Sequence, residues 1–398
     1  MSRKYCAPRR IAYPLTLLDL IVDAVVRPRA RQVPLKPTDD VQILLMSSGH
    51  LGDTLILTYL FPLIRERYPN ARLDVLAGDW CDPVLTNNPY VRRVIHWNHV
   101  GTNRKKISRF RKLRQHMGMM NAAIPVLREV AYDYSIDIRF SDSPMHQILP
   151  FIRVNHSIGF GTRGLGGLLD EELFLPDGEF HHLDLLLALL AKIDVHATLP
   201  DIKPYFLLQP AADVSLLTKL PMLTQADRPL ILVCPESGAA SRFLPVEFWN
   251  ELLTNTLTQT EALLLMCGQL PGTTAMATKL RADCPDQAHR VVDATNQLTI
   301  QELAVLTAKA TLAYTVDSFP AHLCAIFCPL ITYYHNGMGI QFFPIANFDT
   351  LLFHNHYNSR DLQLNRPDYL TVYTEFFGQK VVALSLQKAA QLVNRVVQ

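Results

Sequence analysis

"VQILLMSSGHLGDTLILTYLFPLI" (41–64) is the stretch on which the reading of the fold turns. An apolar run stops at "SSGH" and helical spacing resumes at "TLILTYLFPLI", so the segment reads as a strand, a tight turn and a helix. The turn holds Gly49 and Gly52, which let the backbone bend sharply and let a ligand come close. Asp53 falls where the helix begins. A carboxylate at that point has two readings: a cap for the first helical N–H groups, or a chemical group at the mouth of a sheet.

Downstream the same alternation continues. "TLILTYLFPLIRERYP" reads as one helix, "RLDVLAG", "RVIHW", "YDYSIDIR" and "HSIGF" as strands, and "SPMHQILPFIR" and "HHLDLLLALLAKID" as helices. Strands alternating with helices imply a parallel sheet covered on both faces. Between 196 and 228, Pro200, Pro204, Pro210 and Pro221 interrupt the periodicity and suggest a linker. A second series opens at "PLILVCPE" (229–236) and runs to "LITYY" (330–334), and "SLQKAAQLVNRVV" (385–397) reads as a closing helix with Ser385 as its N-cap. The expected organisation is an N-terminal extension (1–40), a Rossmann-like domain (41–195), the linker (196–228), a second Rossmann-like domain (229–375) and the closing helix (376–398). Two doubly wound α/β domains facing a central cleft place ligands at the carboxyl ends of their strands. Dehydrogenases, binding proteins and nucleotide-sugar transferases share that outline. No GxGxxG follows a strand and no GxxxxGK[ST] occurs, which disfavours dinucleotide and P-loop chemistry.

Composition narrows the classes. A net charge of +2 argues against a whole-molecule nucleic-acid binder, and 49% hydrophobic content supplies large cores. Seven cysteines without a CxxC fit a reducing compartment rather than a disulfide framework. The fourteen histidines contain no HExxH, and neither His181/His182 nor His354/His356 comes with further ligands, so no metal is expected. Cys324 and Cys328 read as small buried hydrophobes, and "GLGG" (164–167) as a flexible loop without a ligand.

The run 11–26, "IAYPLTLLDLIVDAVV", is shorter than the roughly 20 residues of a membrane span and contains Asp19 and Asp23. With Pro14 in its first turn, it reads as an amphipathic helix with a narrow polar stripe of Thr16, Asp19 and Asp23. Arg3, Lys4, Arg9 and Arg10 precede it and Arg27, Arg29 and Arg31 follow. Such a helix lies in an anionic membrane interface, docks on the protein's own surface, or binds a partner helix.

Two stretches of the second domain have a similar character. "CPESGAASRFLPVEFW" (234–249) follows its first strand with a small polar turn, Ser237 and Gly238, and then Arg242. "TVDSFPAHLCA" (315–325) places Asp317 and Ser318 before a helix that contains His322. Unpaired N–H groups at helix starts attract a diphosphate, a hydroxyl adds a donor, and an arginine adds a fixed bidentate charge.

These residues resemble glycosyltransferase family 9, the bacterial ADP-heptose:lipopolysaccharide heptosyltransferases. The likeness lies in "ILLMSSGHLGDTLILTYLFPLIRERYPNARLDVLAG", "DIR" (137–139), "HHLDLLLALL" (181–190), "SRFLPVEFW" and "DSFPAHL" (317–323), in the family's order. The resemblance implies a GT-B fold with the acceptor on the first domain, the nucleotide-diphosphate sugar on the second, and no metal or resident cofactor. It makes Asp53 the general base. It makes Arg242, in place of a family lysine, Asp317, Ser318, His322, Ser237 and Gly238 the donor side. His50, Gly52 and Arg139 fall on the acceptor side with Arg104 and Lys105, which belong to the basic run 103–116. That run reads equally as a solvated helix face. Phe319 stands where the family has glycine and should crowd the diphosphate, and Glu236 should sit near the anion.

The function expected is an inverting, metal-independent glycosyltransferase acting on a glycan or lipid-linked acceptor. The alternatives are another nucleotide sugar, or a non-catalytic scaffold of the same shape. The expected compartment is the cytoplasm, at the inner-membrane surface if the 11–26 helix binds lipid. The partners expected are the nucleotide-sugar donor and its acceptor, without nucleic acid.

Overall fold

A computed structural model describes residues 9–25, 40–140, 144–162, 164–177, 180–224, 228–335, 339–348, 350–354, 369–373 and 379–397. Arg3, Lys4, Arg27, Arg29, Arg31 and His356 lie outside them. The chain divides into two compact units, Met1–Ile202 and Lys203–Gln398.

The first unit carries β1 (Gln42–Ser47), β2 (Arg72–Ala77), β3 (Val91–His96), β4 (Ala131–Asp137), β5 (Arg153–Phe160) and β6 (Glu171–Leu173). All pair in parallel in the order β3-β2-β1-β4-β5-β6. Its helices are α1 (Arg9–Val25), α2 (Leu51–Thr58), α3 (Phe61–Arg67), α4 (Asp82–Leu85), α5 (Arg109–Arg128) and α6 (His182–Ala191). Ile43 to Ser47 of β1 are all buried, as a parallel strand covered on both faces requires.

The second unit carries α7 (Pro210–Lys219), β7 (Leu230–Cys234), α8 (Val246–Gln259), β8 (Leu263–Met266), α9 (Pro271–Asp283), β9 (Val291–Asp293), α10 (Ile300–Lys309), β10 (Leu312–Val316), α11 (Phe319–Phe327), β11 (Leu330–Tyr334), β12 (Thr350–His354), β13 (Tyr369–Tyr373) and α12 (Gln379–Val397). Its seven-stranded sheet is also parallel, in the order β13-β12-β11-β10-β7-β8-β9.

Several local expectations change. The helix expected over 54–69 is two, α2 and α3. Pro62 has no N–H to bond the Thr58 carbonyl, so the helix stops and restarts with proline in its first turn. "SPMHQILPFIR" forms a 3-10 turn, His146–Phe151, with Pro150 inside it. Asp137 holds its start, taking the N–H groups of Met145 at 2.7 Å and His146 at 3.0 Å. The stretch 196–228 contains α7, which Pro210 opens; Pro221 follows its end, so the prolines bracket a helix there. α1 begins upstream of Pro14, which lies inside it. β6, β12 and β13 extend the sheets beyond the strands expected.

The "GLGG" loop is the seat of α1. Gly164 has φ +91°, a left-handed conformation that favours glycine, and a Cβ there would lie 2.8 Å from Leu15 Cδ2. The Leu165 N–H donates to Asp19 Oδ1 at 2.5 Å. The described cysteines Cys81, Cys234, Cys267, Cys284, Cys324 and Cys328 are free and buried.

Candidate active site

In each unit the strand order reverses at one point, and the sequence-expected residues lie at the carboxyl ends of the strands that meet there. In the first unit the point lies between β1 and β4, which pair with Met46 opposite Asp137. β1 leads into the 48–53 turn and β4 into Arg139. In the second it lies between β7 and β10, with Cys234 opposite Thr315. β7 leads into 235–242 and β10 into Asp317 and Ser318. Crevices at such points are where open α/β sheets bind ligands.

Asp53 joins the two readings of the 48–53 turn. His50, in an extended conformation, is the N-cap of α2, and its N–H donates to Asp53 Oδ2 at 2.9 Å, so the carboxylate closes the helix start. Its other oxygen, Oδ1, lies 2.6 Å from Arg139 Nη1. Arg139 is 4% exposed and Asp53 16%, which leaves the carboxylate accessible at one edge. Burial pushes the Asp53 carboxyl up, but the charges of Arg139 and then His182, with the His50 N–H, outweigh it and hold the group well below the ordinary carboxylate range. Gly49 is required by this packing, because a Cβ there would lie 2.6 Å from Asp53 Cβ.

His50 is fixed on both sides. Its ring stacks on Trp80 at 6.2 Å, and its Nε2 lies 3.0 Å from the Thr102 carbonyl, which makes that nitrogen the donor. Burial and then the Arg104 charge lower its pKa, so the ring is neutral near pH 7. The Trp80 indole N–H donates to the Gly49 carbonyl at 2.8 Å. Gly52 lies in the first turn of α2. Arg104 and Lys105 are exposed; Lys105 pairs with Asp79 at 2.7 Å. Arg139, expected on the acceptor side, is buried against the carboxylate. Sequence reasoning missed Trp80 and His182. The His181/His182 pair was visible as an insufficient metal set and as the start of "HHLDLLLALL", and the fold puts His182 at the start of α6, within electrostatic reach of Asp53.

In the second unit Ser237, Arg242, Asp317 and Ser318 come together. Ser237 Oγ donates to the Asp317 carbonyl at 2.8 Å, and Arg242 Nε lies 3.2 Å from Asp317 Oδ2. Ser318 is the N-cap of α11, and its hydroxyl donates back to the Val316 carbonyl at 3.1 Å. His322 is buried inside α11, and Gly238 is exposed in the β7–α8 turn. Glu236 turns to α9, where its Oε2 accepts from Gln269 N at 2.7 Å, and its Oε1 from Leu270 N at 2.9 Å and the Thr273 hydroxyl. It neutralises that helix start, so the conflict expected between Glu236 and an anion is relieved by its orientation. Phe319 is half-buried at the first position of α11.

Among the described residues no three His, Cys, Asp or Glu side chains are grouped to hold a metal ion, and no helix is long and apolar enough to cross a membrane.

Two parallel α/β units, each with polar residues at its strand-order reversal, have the architecture of the GT-B fold. The chain belongs to glycosyltransferase family 9 (heptosyltransferase), whose family model matches residues 121–368. It is 26% identical over 304 residues to lipooligosaccharide heptosyltransferase 2 of Haemophilus influenzae, covering 74% of this chain and 83% of that protein. Lipopolysaccharide heptosyltransferase 2 of Salmonella typhimurium is also 26% identical, over 74% of this chain and 82% of its own length. Among solved structures, Escherichia coli ADP-heptose lipopolysaccharide heptosyltransferase II superposes with a TM-score of 0.66 at 17% identity, covering 90% of this chain and all of that one. An E. coli heptosyltransferase solved with ADP gives 0.61 at 14% identity, over 88% of this chain and 100% of that one.

Proposed function

We propose that this glycosyltransferase moves a sugar, heptose by analogy with its relatives, from a nucleoside diphosphate to a hydroxyl of a lipopolysaccharide-core or other glycan or lipid-linked acceptor, with inversion and without a metal or resident cofactor. One observation carries the reading: Asp53 is an ionised, partly accessible carboxylate at the strand-order reversal of the first unit, clamped by Arg139 and His50. In this role Asp53 receives the proton of the attacking hydroxyl. Its low pKa suits a late transfer. As the oxygen bonds to the anomeric carbon it gains oxonium character and becomes a far stronger acid than an alcohol, so a weak base suffices. The attacking electron pair forms the new C–O bond while the old one breaks and its pair leaves on the diphosphate.

The second unit then stabilises that leaving charge. Arg242, oriented by Asp317, supplies a fixed cation, and the backbone N–H groups of the α11 start at Ser318 and of the Ser237–Gly238 turn supply donors for the phosphate oxygens. His322 supports α11 from within. Arg104 and Lys105 meet anionic groups of the acceptor near His50 and Gly52. The working location of this reading is the cytoplasm, with the protein peripheral on the inner membrane, where a lipid-linked acceptor is presented.

The test is transfer from ADP-heptose to a core oligosaccharide acceptor with excess EDTA, the product anomer being read by NMR. Inversion at an undiminished rate is expected. Retention, or a rate abolished by EDTA and restored by a divalent cation, rejects the mechanism.

A further inference from the structure

α1 departs from a helix that merely packs on its own protein, which turns its large apolar residues inward. The face α1 sets against the 164–168 loop is Leu15, Asp19 and Val22, with Asp23 exposed at its edge beside Gly167. Asp19 is 2% exposed and accepts the Leu165 N–H. A Cβ on Gly167 would lie 2.3 Å from Asp23 Oδ1 and 3.3 Å from Val22 Cγ1, so the loop's glycines make room for this face. The outward face is Leu17, Leu18, Leu20, Ile21 and Val25, between 41% and 76% exposed. The fold thus buries Asp19, keeps Asp23 at the edge of the loop contact, and turns five large aliphatic side chains outward.

We infer that the outward face of α1 is the surface by which the protein sits on an anionic lipid bilayer. Charge selects this occupant. From Met1 to Leu18 the charged side chains of the sequence are Arg3, Lys4, Arg9 and Arg10, and from Ala24 to Thr38 they are Arg27, Arg29, Arg31 and Lys36. An aliphatic face whose sequence flanks, 1–18 and 24–38, carry eight cations and no acid fits phosphate headgroups over acyl chains. It disfavours a second copy of the chain, whose flanks carry the same sign. The amino-terminal half of α5 repeats the chemistry, with Phe110, Leu113 and Met117 exposed among Arg109, Arg111, Lys112 and Arg114. A contiguous run of packed elements joins α1 to α5, through the 3-10 turns Gly166–Leu168 and His146–Phe151. The bilayer contact proposed is interfacial, since no described helix can cross.

The inference deepens the inner-membrane location proposed above and rests on it. Its test is co-sedimentation of the full chain with vesicles of phosphatidylglycerol and phosphatidylcholine in equal parts, and with phosphatidylcholine alone. The unmodified chain and a Leu17→Ser/Leu20→Ser/Ile21→Ser variant are compared, with light scattering for the oligomeric state. These positions face outward, so the variant keeps its thermal midpoint and its transfer to a lipid-free acceptor. The expected result is binding to the anionic vesicles that weakens with salt and falls about tenfold or more in the variant. Equal sedimentation of the two proteins, equal binding to neutral vesicles, or a dimer that the variant dissociates overturns the inference. Loss of binding on substituting Phe110 and Leu113 but not the α1 face overturns it too. Vesicle binding by a chain that transfers no sugar upholds the surface and rejects the transferase mechanism; transfer without vesicle binding does the reverse.

Discussion

At the scale of single residues, the proposed mechanism rests on one ion pair, between Arg139 and Asp53. The guanidinium keeps the carboxylate ionised and in place, and makes it a weaker base than a free aspartate. The Asp53 carboxyl is depressed in the folded state, so it stays ionised until the pH falls well below the ordinary carboxylate range. The acid limb of the rate profile therefore does not arise from Asp53 near pH 4 to 5 in the unmodified enzyme. Arg139→Gln removes the strongest opposing charge, and the acid limb then moves up toward the ordinary range, about pH 4. Arg139→Lys moves it less. An unchanged limb in Arg139→Gln, measured as kcat against pH, rejects this coupling. From the sequence, Asp53 could be placed at a helix start beside two glycines. The partner that fixes its charge, Arg139, lies just past the end of another strand, β4, and was legible only as the end of "DIR".

At the scale of elements, helix starts are closed by carboxylates from the chain itself: Asp53 on α2, Glu236 on α9 and Glu302 on α10. Glu302 Oε2 accepts from Thr299 N at 2.7 Å, and its carboxylate also binds Ser215 and Lys219 of α7. Burial pushes its carboxyl up, but Lys219, Ser215 and Thr299 bring it down to about 2. A depressed carboxyl stabilises the fold fully above its unfolded value of 4.5, and that contribution is lost as pH falls toward about 2. Glu302→Gln should cost about 1–2 kcal/mol at pH 7 in urea unfolding, and the deficit should shrink as pH falls from 4.5 toward 2. A deficit independent of pH over that window removes the assignment. The alternation of strands and helices made most elements readable in advance. What misled was proline, which split the helix after Asp53 and bracketed α7 where a linker was expected. The glycine loop at 164–167 was unreadable for a different reason: its shape answers to α1, 146 residues away in sequence, through the contact between Asp19 and Leu165.

At the scale of the whole molecule, the two units divide the proposed work, so the defects of each should be separable. Arg242→Ala should weaken binding of ADP about 10- to 100-fold, as expected for losing a charge-assisted contact, and leave the first unit's properties intact. Isothermal titration of ADP measures this, and unchanged affinity removes Arg242 from the donor side. Fold class and family were carried by motifs spread along the sequence. Strand order was not, and it is the order that puts Asp53 with Arg139 in one unit and Arg242 with Asp317 in the other.

The most direct measurement is the rate of sugar transfer by Asp53→Asn, taken alongside its affinity for the nucleotide. Asparagine keeps the size of the side chain and removes its basicity. The account predicts a fall in kcat of about 10²- to 10⁴-fold with ADP affinity unchanged; turnover within a few-fold of the unmodified enzyme would contradict it.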